Sequence, residues 1–202
     1  MPDRVDRPRR LLDLVERWRA EGRLVDAGAL GDDAGAIELT GVRDDSRRVE
    51  QGDLFVAVRG LRTDGHHFVR EAIERGAVAV AVEATVGDVS VPQLVVDRGA
   101  AGLASAAAWW YGDPSRQLLT VGVTGTNGKT TTSFLAAASL AGAGFATGLI
   151  GTVGIRVGGE MVPNEEPNTT PGALELQRIL RAMVDAGERA VVIETKIGRA
   201  HV

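Results

Sequence analysis

The sequence predicts an α/β protein of two successive domains, each built on a largely parallel sheet. Short apolar runs of strand length alternate with amphipathic segments of helix length, as in "LFVAV" at 54–58, "HHFVREAIERG" at 66–76 and "AVAVAV" at 77–82. That alternation marks strand–helix–strand units with helices packed on a sheet. The series breaks at "YGDPSRQ", 111–117, where turn residues collect, and then begins again. A glycine-rich turn, "GVTGTNGKTTT" at 122–132, joins strand to helix at the start of the second series. The first domain is expected over 1–115 and a partial second one over 116–195, with 196–202 set apart.

Taken in order, Leu11, Leu12, Val15 and Trp18 share a helical face, with Pro8 suited to a first turn and Gly22 to a stop. This is expected to be a surface helix with solvated arginines. The strand "QLVVD" and the small-residue helix "GLASAAAWWYG" complete the first series. His66 and His67, opening an amphipathic helix, read as surface or capping residues, and Trp109 and Trp110 as packing anchors. The second series runs from the strand "LLTVGV" to a helix "KTTTSFLAAASLAGAG" that closes at glycines, then to the strand "FATGLI". A long loop, 151–170, rich in Gly, Pro and Asn, follows. Pro171 then opens the helix "GALELQRILRAMVDAG", which leads into the strand "RAVVIE".

With 44% apolar and 25% charged residues, the 202-residue chain has the composition of an ordinary globular protein. A net charge of -4 offers no electrostatic drive toward nucleic acid or anionic membranes. The absence of cysteine excludes disulfides and thiolate metal sites. "MPDRVDRPRR" is charged where a signal peptide needs an apolar core, and no apolar run approaches the roughly 18 residues of a membrane span. A cytoplasmic location without membrane insertion is expected.

The sharpest chemical signal is the glycine-rich turn. A bound phosphate needs inward-pointing backbone N–H groups, a helix N-terminus behind it and a cation that reaches the outer phosphates. Gly125, Thr126, Asn127, Gly128 and Lys129 supply the loop and the cation, while Thr130 places a hydroxyl where the magnesium accompanying ATP is held, with Thr131 beside it. The strict template has a glycine five residues before the Gly-Lys pair; here that position is Val123. The loop is a variant phosphate-binding loop, and ATP and Mg2+ are the expected cofactors.

"VTGTNGKTTT", with "DDSRRVEQGDLFVAVRGLRTDGHHFVREAIERGAVAVAVE" at 44–83, "IGTVG" at 150–154 and "NTTPGALELQRILRAMVDAG" at 168–187, resembles the Mur ligase family over roughly residues 24–195. The resemblance implies an N-terminal uridine-nucleotide-binding domain followed by the first part of a P-loop-type ATP-binding domain. The "GTNGKTTT" form and the last two stretches are similar to the branch that adds the third amino acid, meso-diaminopimelate or L-lysine, to UDP-N-acetylmuramoyl-L-alanyl-D-glutamate during peptidoglycan precursor synthesis. ATP would phosphorylate the substrate carboxylate, and the amine would displace phosphate from the acyl phosphate. The resemblance makes Lys129 catalytic and Thr130 and Glu194 metal ligands. Ser46, flanked by Asp45 and Arg47, and Leu61, Arg62 and Thr63 would contact the uridine moiety. By composition alone Asn168, Thr169 and Thr170 read first as a plain Thr N-cap before Pro171; the resemblance reverses this and implies that they contact the substrate. Without the resemblance "DDSRR" is a charged turn.

The partners implied are the UDP-muramoyl-dipeptide and an amino acid, with a monomer expected at full length. Alternatives are the dipeptide-adding Mur ligase, which shares the first domain, a non-catalytic UDP-sugar or nucleotide-binding module, and a folylpolyglutamate-synthase-like ligase, which lacks that domain. The family pattern after Glu194 is a small residue and then Ser-Ser-His, whereas this chain reads Thr195 and then "KIGRAHV". Residues 196–202 are therefore expected to be a non-native tail translated from a library adapter. The second domain is expected to be truncated, and the chain by itself to bind nucleotide weakly and not to ligate.

Overall fold

The computed structural model describes residues 8–27, 36–60, 63–163 and 171–195. The chain divides into two compact units, Pro2–Trp110 and Tyr111–Val202. Each is a mixed α/β unit, and neither sheet is wholly parallel.

The first unit holds β1 (Arg9–Arg10), α1 (Leu11–Ala20), β2 (Leu24–Asp26), β3 (Glu38–Leu39), β4 (Gly41–Arg43), β5 (Asp53–Val56), α2 (Val69–Glu74), β6 (Ala79–Val82), β7 (Gln93–Val96) and α3 (Gly99–Trp110). Its main sheet has the order β2-β7-β6-β5-β4, with β4 to β7 parallel and β2 antiparallel at the edge. Every residue of β5 and β6 is buried, as expected of parallel strands covered on both faces. Alternation along the strands decides which helix each side chain meets. Phe55, Val80, Val82 and Val95 pack with Val69 and Ala72 of α2. Val96 points the other way, and Gly102 of α3 lets that helix approach it: an added Cβ would sit 3.3 Å from the valine side chain.

Two expectations for this unit are corrected. Pro8 does not enter the first turn of α1, because Arg9–Arg10 is held as a strand against Glu38–Leu39. The helix α1 buries one face, with Leu11, Leu14, Val15 and Trp18 at most 1% exposed, and leaves Asp13, Glu16 and Arg19 exposed. Its Arg17 donates to Glu21 at 2.9 Å and to Ser105 of α3 at 3.1 Å. The segment at 66–76 begins as a single 3-10 turn, Gly65–Phe68, because the Asp64 carboxylate accepts from the His66 N–H at 3.0 Å. His66 is thus more than a surface residue. Its Nδ1 lies 2.6 Å from Asp64 and its Nε2 accepts the Glu83 N–H at 2.8 Å, so the ring, with its proton on Nδ1, brackets this turn to the end of β6. Trp109 and Trp110 are buried as anchors.

The second unit holds β8 (Leu119–Val123), α4 (Lys129–Gly142), β9 (Thr147–Ile150), β10 (Ile155–Val157), β11 (Glu160–Val162), α5 (Ala173–Asp185) and β12 (Ala190–Glu194). The strand order is β11-β10-β9-β12-β8; β12 runs parallel to both β8 and β9, and β10 is antiparallel to β9. Val191 and Ile193 face Ile179, Leu180 and Met183 of α5, whereas Val192 faces Ala137 of α4. One helix therefore covers each face. The expected long loop over 151–170 is instead a hairpin, β10–β11, turning at Gly158 and Gly159; residues 164–170 of that loop lie outside the described residues. Period-two alternation is too short there, over three-residue strands, to announce itself.

After α5, Glu188 N–H returns to Met183 O at 3.0 Å and Gly187 N–H to Val184 O at 3.0 Å, a Schellman closure that fixes where Glu188 points. Its carboxylate is 7% exposed, accepts from Gly158 N–H at 3.1 Å, and keeps one oxygen without a hydrogen-bond partner. Burial pushes this carboxyl above the usual carboxylate range, against the opposing pull of Gly158 N–H and Arg156. A raised folded pKa means the folded state binds the proton more tightly. The contribution to stability is full below the ordinary glutamate pKa of about 4.3 and is lost as pH rises through the folded value. Glu188→Gln is therefore expected to melt higher than the unmodified chain at pH 7, with the advantage shrinking toward pH 4. Thermal melts across that range check it; an advantage that grows as pH falls would contradict it.

Candidate phosphate-loop and cavity sites

In the second unit the parallel register sets the site. Glu194 pairs with Val123, so the last residue of β12 arrives level with the end of β8, where the glycine-rich loop starts. β9, on the other side of β12, ends at Ile150 and is followed by Gly151 and Thr152. Three strands thus deliver their carboxyl ends to one place, where α/β folds gather ligands. Gly125 (φ 150°) and Gly128 (φ 75°) take backbone conformations that an L side chain resists, which turns the loop into the first residue of α4.

The loop and its surroundings enclose a cavity of about 340 Å3 lined by Thr126, Asn127, Gly128, Lys129, Thr130, Thr131 and Thr152. Lys129 Nζ folds back and donates to Gly125 O at 2.9 Å and Thr126 O at 3.5 Å, so its charge sits over the loop. Glu194 is 0% exposed, and its Oε2 accepts from Thr130 Oγ1 at 3.3 Å and from Thr152 Oγ1 at 3.1 Å. Loop, lysine, hydroxyl and acid are therefore brought together. The donor set near Glu194 is all hard oxygen, which suits magnesium. Among the described residues no group of three or more His, Asp or Glu could hold a metal. One carboxylate and one hydroxyl fit an ion that takes its remaining ligands from phosphates and water.

In the first unit a cavity of about 710 Å3 is bounded by Ser46, Phe55, Val58, Thr63, Phe68 and Glu71, among others. That size suits a small-molecule site. Asp45 caps the 3-10 turn Ser46–Arg48 by accepting from Arg47 N–H at 3.0 Å. The Arg47 guanidinium also bonds Asp45 at 2.9 and 2.7 Å, which holds that carboxyl below the usual range. Ser46 Oγ donates to Glu71 at 3.0 Å. Thr63 lies on the rim, its carbonyl accepting Gly60 N–H at 2.9 Å. Leu61 and Arg62, like Asn168, Thr169 and Thr170 and the tail 196–202, lie outside the described residues. Sequence reasoning missed Thr152 beside Glu194, and Phe68 and Glu71 in the cavity. "IGTVG" was the available signal for Thr152, but a lone threonine between glycine and valine carries no chemistry until the fold places it.

Comparison with known proteins gives the arrangement a family. Residues 38–111 match the model described as "Mur ligase family, catalytic domain", and residues 123–201 match "Mur ligase middle domain". The chain belongs to the Mur ligase family. It is similar to the UDP-N-acetylmuramyl-tripeptide synthetase of Roseiflexus sp. (strain RS-1), at 49% identity over 78% of this chain and 31% of the relative. It is also similar to the UDP-N-acetylmuramoyl-L-alanyl-D-glutamate--2,6-diaminopimelate ligase of Chlorobaculum tepidum, at 51% identity over 81% of this chain and 32% of that protein. Among solved structures it resembles a MurF ligase from Thermotoga maritima in complex with ADP, with TM-score 0.52, 28% identity, and coverage of 78% of this chain and 32% of that one. This Mur ligase chain spans about a third of the length of the curated relatives it matches. Among the described residues no helix is long and apolar enough to cross a membrane.

Proposed function

We propose that this chain carries the UDP-substrate domain and the phosphate loop of an ATP-dependent, cytoplasmic ligase that adds the third amino acid to UDP-N-acetylmuramoyl-L-alanyl-D-glutamate. The supporting observation is that Lys129 and Thr130 line one cavity and Thr130 bonds Glu194 behind it, in a chain whose curated relatives carry that activity in their names. The loop from Gly125 to Thr131 cradles the ATP phosphates with backbone N–H groups and the N-terminus of α4. Lys129 swings from its carbonyl partners to the β- and γ-phosphates and neutralises charge as the substrate carboxylate attacks the γ-phosphorus. That attack forms an acyl phosphate and ADP; the incoming amine then displaces phosphate and leaves the amide. Thr130 and Glu194 hold magnesium, which when bound screens the phosphate charge. Ser46, Leu61, Arg62 and Thr63 bind the uridine diphosphate, and Asn168, Thr169 and Thr170 the peptide arm.

The similarity to a MurF ligase favours a second reading, the dipeptide-adding step. The two separate by acceptor. In the protein extended to the length of its relatives, phosphate release is expected with the UDP-muramoyl-dipeptide plus diaminopimelate or lysine. Turnover only with the UDP-muramoyl-tripeptide plus D-alanyl-D-alanine would replace the first reading by the second.

A further inference from the structure

We infer that Thr152 is a positioning residue for Glu194: its hydroxyl holds the carboxylate in the orientation that receives a divalent cation, while Gly151 leaves the space that the carboxylate fills. The inference rests on the phosphate-site reading above and deepens it. Both threonine hydroxyls donate to one oxygen, Glu194 Oε2, at 3.3 Å from Thr130 and 3.1 Å from Thr152. The two donors are not equivalent. Thr130 is the second residue of α4, beside the cavity-lining lysine, and a cation near its oxygen would turn its proton away from Glu194. Thr152 follows β9, the strand beside β12, and its bond to Glu194 need not change when a cation arrives.

A buried carboxylate without a fixed partner is free to rotate between orientations. The hydroxyl of Thr152 is a partner that can persist through both states. Gly151 completes the cradle, since a Cβ there would lie 2.6 Å from Glu194 Oε1 and 3.0 Å from its Cδ. Neither residue carries charge, so the pair shapes the acid without competing for the cation. Residues that orient a metal-binding group in this way set metal affinity as much as the ligands do.

The test is a magnesium titration of the chain in the presence of ADP, with ADP affinity also measured in EDTA. In the unmodified chain magnesium is expected to strengthen ADP binding. Thr152→Val keeps the shape and removes the donor; it is expected to raise the magnesium concentration needed for half of that effect by about tenfold or more, with Thr152→Ser restoring it. Far-UV melts of all three proteins confirm that they are folded. If magnesium acts equally on the valine variant, the inference is overturned and the phosphate-site reading stands. If the unmodified chain binds no ADP, or binds it with no magnesium effect, the phosphate-site reading fails and the inference falls with it.

Discussion

Lys129→Met is expected to weaken ADP binding about 10- to 100-fold while leaving the melting temperature of the second unit nearly unchanged. Two observations decide the two halves of this expectation. Lys129 sits at the first position of α4 and, among the described residues, its Nζ bonds the carbonyls of Gly125 and Thr126, so little of the fold depends on it. Its partner in function is a polyanion, and a charge-assisted hydrogen bond contributes about 1.5–3 kcal/mol, of which the span up to about 2.8 kcal/mol converts to that range of affinity. Methionine keeps the length and apolar stem of the side chain, so lost packing does not enter. Calorimetric titration with ADP reads the affinity, and circular dichroism the melt. An unchanged affinity would mean that the loop is a glycine turn with an incidental lysine.

How much of this site was legible in the sequence depends on how far each signal is local. Gly125, Gly128, Lys129 and Thr130 announce a phosphate loop because strand, turn and helix are consecutive in the chain, and the structure keeps them so. Glu194 is 64 residues from Thr130, and its placement follows from strand order. Periodicity shows that a strand ends there, but only the parallel pairing of β12 with β8 puts the acid beside the loop. Thr152 was illegible for the same reason: nothing local distinguishes it from other loop threonines. The hairpin at 155–162 was hidden by strands of three residues in a glycine-rich stretch, and β2 by an antiparallel pairing with β7, which comes about seventy residues later. His66 read as a surface or capping residue because it opens an amphipathic segment, whose periodicity reports which face of a helix is wet. The residue lies in a 3-10 turn before that helix, where the periodicity does not apply.

The first unit depends on a buried ion pair that the same logic identifies, and Asp53→Asn is expected to destabilise it by about 3–5 kcal/mol. Asp53 opens β5 and is 0% exposed. Its Oδ2 accepts from Arg43 Nε on β4 at 3.1 Å and from Glu50 N–H at 3.0 Å, and its Oδ1 lies 3.4 Å from Thr40 Oγ1. The neighbouring strand is cut to fit, for a Cβ at Gly41 would collide with Asp53 Oδ1. Asparagine keeps the volume but leaves the guanidinium of Arg43, whose side chain is 11% exposed, beside a neutral amide. Removing one member of a buried pair costs far more than the pair contributes, because the attraction that offset the desolvation of the arginine is cut back. Since β4 and β5 pair with each other, and of the residues bounding the 710 Å3 cavity Phe55 lies on β5 and Ser46 in the turn after β4, the loss reaches the site as well as the fold. A unit of this size shifts by about 4–8 °C per kcal/mol, so the melting transition should fall by more than 10 °C. The paired change Asp53→Leu with Arg43→Met removes both charges and is expected to recover most of the loss. Recovery would assign the cost to the broken pair; a double variant no better than Asp53→Asn would assign it to packing alone.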